Sequence, residues 1–238
     1  ILIRRTIPLI IVGLIFTCLD AMDSSFSVTM VREKLTEQFS KVEDFTVDIK
    51  LSVQMTGLRM PKKKITLHYK NPDHFKIESK GFALVPQYGL PLSPEVLLNS
   101  LSDITIDSVD EISHRLILKG NIQLGVDKED IWNFSDKGNQ SMTMSVSIDT
   151  ERWVIPSFEV YAGAEKILRI DTGFSNFENG LFLPVETVIE LDIPEMDANP
   201  EFHMREGNAP QSGKITLVYK NYKVNQGLDE AFFLEEPE

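Results

Sequence analysis

Strict alternation of apolar and polar residues is the feature of this sequence that most limits its fold. From Phe45 to Met55 every second residue is apolar, and Thr46, Asp48 and Lys50 are among the polar residues between them. A period of two predicts a long β-strand with one buried face and one face in water. Further candidate strands follow at 64–70, 75–77, 104–109, 113–119, 128–134, 142–149, 153–162, 166–173, 181–193 and 214–224. We therefore predict a meandering antiparallel sheet and not βαβ units.

Only two helices are predicted to cover this sheet. Apolar residues spaced by three and four predict the first helix, namely Val28, Val31, Leu35, Phe39 and Val42. Ser93, Pro94 and Glu95 form a typical N-terminal cap, so we predict a second helix over 94–101, behind an apolar segment rich in proline and glycine at 82–92. Two short helices cannot cover the apolar face of so many strands unless the sheet curls around them. This imbalance favours a cavity between helices and sheet.

The first residues differ from the rest of the chain. Arg4 and Arg5 precede a stretch without charge that ends at Leu19. A basic start followed by a short apolar run predicts a secretory signal peptide over 1–21, with 22–238 as a single domain. The alternative is an uncleaved anchor. Cys18, the only cysteine, is a candidate lipidation site or a passive residue of the cleaved signal, which would leave a chain without thiols, as suits an oxidising compartment.

Composition and motifs disfavour several function classes. With 24 basic and 36 acidic residues the net charge is −12, which argues against a nucleic-acid-binding protein. A single cysteine rules out a disulfide framework and a cysteine zinc site. The four histidines have no metal-ligand spacing, and the sequence contains no nucleophile elbow or phosphate-binding glycine motif. We therefore predict that the protein is not an enzyme and needs no cofactor or metal.

Several motifs are similar to those of one family of carriers. They are the strand pair at 147–161, the hairpin at 174–184, the close at 219–233 and the proline turn at 70–76. Together they resemble the outer-membrane lipoprotein carrier and sorting family, the LolA/LolB-like superfamily with its LolA-like lipid-binding proteins. The resemblance extends over roughly 28–236 and includes no catalytic motif. Where the characterised carrier has an arginine tied to lid closure, this chain has Asn71.

The resemblance implies a mainly β fold with few helices, namely an incomplete, half-open antiparallel β-barrel of about eleven strands. Its α-helices would cover a hydrophobic cavity that holds acyl chains. On the alternating strands, the residues predicted to line this cavity are Val47, Ile49, Leu51, Val53, Ile65, Leu67, Tyr69, Phe75, Ile77, Met142, Met144, Val146, Ile148, Phe158, Leu217 and Tyr219. The methionines suit an adaptable lining, although ordinary core is the alternative. The predicted lid residues are Leu97, Leu98 and Leu101.

By resemblance the function is that of a monomeric periplasmic carrier of lipoprotein or phospholipid acyl chains, which sorts lipoproteins to the outer membrane. An inner-membrane transporter and an outer-membrane receptor would be its partners, with no role for nucleic acid. The alternative is a membrane-anchored lipid-binding lipoprotein of the same fold, attached through Cys18.

Overall fold

The fold is an open antiparallel sheet with helices packed on it. A computed structural model describes residues 26–55, 58–59, 61–72, 74–79, 93–123, 141–177, 180–192 and 212–234. The helices are α1 (Val28–Ser40), α2 (Pro94–Asn99) and α3 (Ala231–Leu234). The strands are β1 (Asp44–Met55), β2 (Leu58–Arg59), β3 (Lys63–Lys70), β4 (His74–Ser79), β5 (Leu101–Asp110), β6 (Arg115–Ile122), β7 (Met142–Asp149), β8 (Val154–Ala162), β9 (Glu165–Asn176), β10 (Phe182–Asp192) and β11 (Ser212–Val224).

The strand order places the first and last strands side by side in the sheet. The order is β4-β3-β1-β11-β10-β9-β8-β7-β6-β5, and β2 pairs with the end of β1. The chain thus runs from β1 out to one edge at β4, continues at the opposite edge as β5, and returns strand by strand to β11. Because β4 and β5 do not pair, the sheet stays open. The predicted mainly β, half-open architecture with about eleven strands is confirmed.

Helix α1 lies against the inner face of the sheet, the face that carries the buried side chains. Its N-terminus is capped by Ser27, whose hydroxyl oxygen accepts a hydrogen bond from the N–H of Met30 at 3.1 Å. Val31 and Leu35 are fully buried, and Phe39 is partly buried further along the helix. The predicted apolar stripe is therefore the face that α1 turns to the sheet.

The inner face is packed as two hydrophobic cores. The first core joins α2 and the beginning of α1 to strands β5 to β9, with Val31, Leu35, Leu97, Leu98, Leu101, Leu116, Leu118, Ile122, Met144, Val146, Ile148, Phe158, Val160, Ile167, Leu168 and Ile170. The second core lies at the end of α1 and contains Val42, Phe45, Val47, Ile49, Leu51, Ile65, Leu67, Tyr69, Leu181, Leu183 and Leu217. Partly buried Ile189 on β10 packs against both, so the boundary between the cores passes this strand.

Some element boundaries differ from the predicted ones. Helix α2 ends at Asn99, because the hydroxyl of Ser100 donates to the carbonyl of Leu97 and Leu101 already pairs with Ile122 as the first residue of β5. Helix α3 and strand β2 were not predicted, since both are too short to establish a period. The predicted strand at 128–134 and the apolar segment 82–92 lie outside the described residues, as do residues 1–25.

A buried carboxylate fastens the end of the sheet to its beginning. Asp44, only 3% exposed at the start of β1, accepts hydrogen bonds from three successive backbone N–H groups, those of Gln226 (2.8 Å), Gly227 (2.7 Å) and Leu228 (3.1 Å). The side chain of Asn225 adds three bonds, accepting from the N–H groups of Glu43 at 2.9 Å and Asp44 at 3.4 Å and donating to the carbonyl of Lys41 at 3.1 Å. We call this group the Asp44 clasp. It fixes the segment that leaves α1 against the end of β11.

We expect Asp44→Ala to lower the free energy of unfolding by about 3 kcal/mol, because three backbone donors lose a charged acceptor. Urea denaturation measures this loss. The control is Asp107→Ala, whose carboxylate makes an exposed ion pair with Lys119 at 3.0 Å and is expected to change stability by less than about 1 kcal/mol. Equal losses in the two variants would contradict a stabilising role for the clasp.

Candidate functional site

An apolar cavity of about 150 Å³ lies between the helices and the inner face of the sheet. Helices α1 and α2 form one side of it, and strands β1 and β8 to β11 form the other. The lining residues are Gln38, Phe39, Val42, Phe45, Pro94, Leu97, Trp153, Val154, Ile155, Phe158, Ile170, Thr172, Phe174, Phe182, Leu183, Pro184, Thr187 and Tyr219.

The cavity occupies the boundary between the two cores. Phe158 and Ile170 belong to the first core and Phe45 and Leu183 to the second, and all four line the cavity. Protein interiors contain few voids larger than a water molecule. A volume near 150 Å³ with apolar walls is instead comparable to cavities that admit a molecule the size of benzene. The two cores therefore meet without filling the space between them.

Aromatic rings hold the wall on the side of the second core. The ring of Tyr69 lies 5.1 Å from that of Phe45 and 5.7 Å from that of Phe39, centroid to centroid. Tyr222 packs on the edge of Phe45 at 5.7 Å, and its hydroxyl donates to the carbonyl of Pro184 at 2.9 Å. Contacts of this kind fix ring orientation as well as burying area. This wall is positioned by strands β1, β3 and β11 together with α1.

Trp153 lines the cavity on the side of the first core. It ends the turn between β7 and β8 in the left-handed backbone region, with φ of 54°, and its backbone N–H donates to the carbonyl of Asp149 at 2.8 Å. Its ring lies 6.3 Å from that of Phe26, just before α1. The turn between β7 and β8 therefore adds a large aromatic side chain to the lining of the cavity.

Three hydroxyl groups interrupt the apolar lining. Thr172 on β9 and Thr187 on β10 are directly paired in register, with their Oγ1 atoms 3.2 Å apart. The hydroxyl of Tyr219 on β11 donates to Thr187 Oγ1 at 3.2 Å. Burial raises the pKa of Tyr219 above its ordinary value, so this group remains a neutral donor at physiological pH. We call these residues the hydroxyl trio.

A single arginine ties the two covering helices together. The guanidinium of Arg32 on α1 donates to Asn99 Oδ1 and to the carbonyl of Leu98, both at 2.8 Å. The carbonyls in the last turn of a helix have no partner within it, so a cation that donates to one both caps the helix and complements its dipole. Among the described residues this is the polar contact that joins α1 to α2.

The residues predicted to line a cavity all project from the inner face of the sheet, but they divide between cavity and core. Phe158 and Tyr219 line the cavity, whereas the others, with the exception of Phe75, pack in or against the two cores away from it. Phe75 at the β4 edge is 48% exposed. Of the predicted lid residues, Leu97 lines the cavity, and Leu98 and Leu101 are buried in the first core. Cys18 lies outside the described residues.

Several lining residues were missed by the sequence analysis. The cavity wall on β9 and β10 includes Thr172, Phe174 and Thr187, in strands that were predicted but not assigned to the site. A threonine on the apolar side of an alternating strand was the available signal for Thr172. For β10 the signal was weaker, because the pairing with β9 shifts register between Pro184 and Glu186.

The described part of the chain contains neither a cluster of metal ligands nor a membrane-spanning helix. No group of three or more histidine, cysteine, aspartate or glutamate residues there is arranged to hold a metal ion. Within the same ranges, no helix has both the length and the hydropathy needed to cross a membrane.

The similarity of this chain to known proteins lies in its structure and not in its sequence. No protein-family model and no curated protein matches the sequence. A LolA superfamily protein from Nitrosomonas europaea superimposes with a TM-score of 0.56 at 9% identity, over 88% of this chain and 98% of the other. A DUF1329 family protein from Desulfovibrio piger gives 0.54 at 12% identity, over 87% and 96%. A domain classed as an outer membrane lipoprotein-sorting protein, from Vibrio parahaemolyticus, gives 0.51 at 9% identity, over 85% and 95%.

These similarities extend over nearly the whole length of each compared structure. Because the sequence identities are so low, the similarities establish the fold alone. The open sheet, the helices on its inner face and these neighbours agree with the fold that the resemblance of the motifs implies. The chain has the LolA-like fold.

Proposed function

We propose that this protein is a carrier that holds acyl chains of lipids or lipoproteins between its helices and its sheet. The observation that carries the proposal is the apolar cavity at the boundary of the two cores, walled on one side by two helices that one polar contact joins. A site of this kind has the concave, mostly apolar character of small-molecule pockets. Its mostly apolar lining is suited to burying hydrocarbon.

The size of the cavity requires the helices to move during loading. At about 150 Å³ it admits a benzene-sized part of an acyl chain, so a full-length chain needs more room. In the proposal, the present arrangement is the closed form, and α1 and α2 move away from the sheet as a chain enters. The strands, held by continuous ladders, provide the fixed wall.

The energies of opening and loading are similar in size. Uncovering a large apolar side chain such as Leu97 costs about 1.5–3 kcal/mol. Each buried CH₂ group of a bound chain returns about 0.8 kcal/mol. The free-energy cost of uncovering a few helix side chains can thus be offset by burying a few methylene groups, and the net free energy of loading lies near zero. A carrier needs such a balance, because it has to release what it binds.

The proposed location is the periplasm, reached through the predicted signal peptide 1–21. One structural neighbour is classed as an outer membrane lipoprotein-sorting protein, which is consistent with transport between two membranes. In that setting a transporter in the inner membrane would supply the cargo and a receptor in the outer membrane would take it. The alternative within the same fold is an anchored lipid-binding lipoprotein attached through Cys18.

We expect Leu97→Asp to reduce the amount of lipid bound per folded molecule by about tenfold, because a carboxylate in the cavity wall is costly to bury beside a hydrocarbon chain. Native mass spectrometry of protein purified from its host measures the bound lipid. The matched control is Val96→Asp on the same helix, where the side chain is 41% exposed and lipid binding should not change. If Leu97→Asp lowers the melting temperature while bound lipid per folded molecule stays constant, Leu97 is only a core residue.

The contact of Arg32 with α2 is expected to slow the exchange of bound lipid. We predict that Arg32→Gln accelerates exchange of a fluorescent acyl chain by about tenfold, since the loss of two charge-assisted hydrogen bonds lets the helices separate more often. Stopped-flow fluorescence gives the rate. Lys34→Gln is the control, because Lys34 pairs with Glu37 on the exposed side of α1 and not with α2. An unchanged rate in Arg32→Gln would remove the helix pair from the opening step.

The carrier and the anchored lipoprotein differ at the N-terminus. We expect mature protein from the native host to begin at residue 22, without Cys18. Intact-mass measurement of the periplasmic and membrane fractions checks this. A diacylglyceryl group on Cys18 in the membrane fraction would select the anchored alternative.

A further inference from the structure

The hydroxyl trio of Thr172, Thr187 and Tyr219 is not required by the packing of the wall that contains it. Its members stand on three adjacent strands, β9, β10 and β11, among apolar neighbours on the inner face. Valine and phenylalanine would fill similar volumes at these positions without placing polar atoms in the interior. Thr187 is only 3% exposed, and Thr172 and Tyr219 are partly buried. Buried hydroxyls carry a desolvation penalty unless they are fully hydrogen-bonded.

The trio cannot satisfy itself. Each hydroxyl has one proton to donate, and the trio contains two internal contacts, Tyr219 to Thr187 and Thr187 with Thr172. Tyr219 uses its proton on Thr187, so the second contact uses the proton of either Thr187 or Thr172. One threonine O–H group is therefore left over beside the cavity. No further hydrogen bond of these hydroxyls occurs in the described part of the chain.

We propose that the hydroxyl trio is a polar anchor that binds the carbonyl oxygen of an acyl group, so that the cavity selects carbonyl-bearing chains over plain hydrocarbon. This inference rests on the proposed function, because it names the chemical class of ligand for the same cavity. A carbonyl oxygen accepts hydrogen bonds and carries no proton, so it matches the donor that is left over. An ester carbonyl is uncharged and enters an apolar cavity without the penalty of a buried carboxylate.

The anchor gives selectivity because a hydrocarbon cannot accept the hydrogen bond that a carbonyl oxygen accepts. A ligand without an acceptor that fills the cavity removes water from the trio and leaves its free donor unpaired. Sites with buried polar groups reject analogues that lack the matching group more strongly than apolar pockets reject a missing methylene. One neutral hydrogen bond corresponds to a preference of about tenfold for the carbonyl compound.

Competition between two ligands of equal heavy-atom number tests the anchor. Methyl decanoate and n-tridecane, both delivered from cyclodextrin, would displace a fluorescent apolar dye from the full-length protein. We expect wild-type protein to bind the ester about tenfold more tightly than the hydrocarbon. In the triple variant Thr172→Val/Thr187→Val/Tyr219→Phe, which retains no hydroxyl of the trio, the preference should fall to about twofold or less, with hydrocarbon affinity kept or improved. The control Thr216→Val changes a hydroxyl on β11 that does not line the cavity, and should keep the full preference.

Each outcome decides something. Equal binding of ester and hydrocarbon by wild-type protein, or a preference that survives in the triple variant, would overturn the anchor and leave the carrier proposal standing. Displacement by neither ligand would count against the carrier proposal itself. If the triple variant fails to fold, Thr187→Val serves in its place, because it leaves the O–H groups of Thr172 and Tyr219 both without their acceptor and should raise the preference for the ester. A Thr187→Val variant whose preference is unchanged or lower would then overturn the anchor.

Discussion

In the part of the chain that the structure describes, two short helices shield the apolar face of a broad sheet, and the packing of these residues follows from this limited cover. Ten strands in lateral order would span about 43 Å if the sheet were flat, at a spacing of about 4.8 Å. Helix α1, with 13 residues, is about 20 Å long, and α2, with 6 residues, is about 9 Å. Twist and curvature bring the strands towards the helices, but two separate cores form instead of one. The cavity is the space left where these cores meet.

Polar contacts divide the molecule into fixed and separable parts. At its C-terminal end α1 leads directly into the Asp44 clasp, where a buried carboxylate and Asn225 bind the backbone on both sides of the β1–β11 pair. Near its N-terminal end α1 is joined to α2 by Arg32. If the helices move, the clasp is therefore the natural pivot and the end that carries Arg32 travels farthest. The lining residues Phe39 and Val42 lie near the pivot, whereas Leu97 lies on the side that opens.

Local sequence predicted the strands and helices well because their periods depend on residues close together in the chain. The alternation from Phe45 to Met55 and the stripe formed by Val31 and Leu35 are visible without any tertiary knowledge. The half-open barrel itself came from the family motifs. The site was harder, because membership of the cavity depends on where two cores meet. Val146 and Phe158 face each other on the same side of the sheet, yet only Phe158 lines the cavity. Trp153 itself has left-handed backbone at the end of a turn, which period-two reasoning does not anticipate.

In the cavity the hydroxyl groups lie on the strands and the helices contribute mainly apolar side chains, so different elements would select a ligand and release it. The hydroxyl trio stands on the strands, which ladder hydrogen bonds hold in register, so a recognised carbonyl would meet donors at fixed positions. The helices contribute mainly apolar contacts, which are not directional and are lost gradually as the helices withdraw. Discrimination among ligands would then reside in the part that stays still, and the rate of exchange in the part that moves. A change of the strand hydroxyls should therefore alter which chains bind, while a change of the helix contacts should alter how quickly they leave.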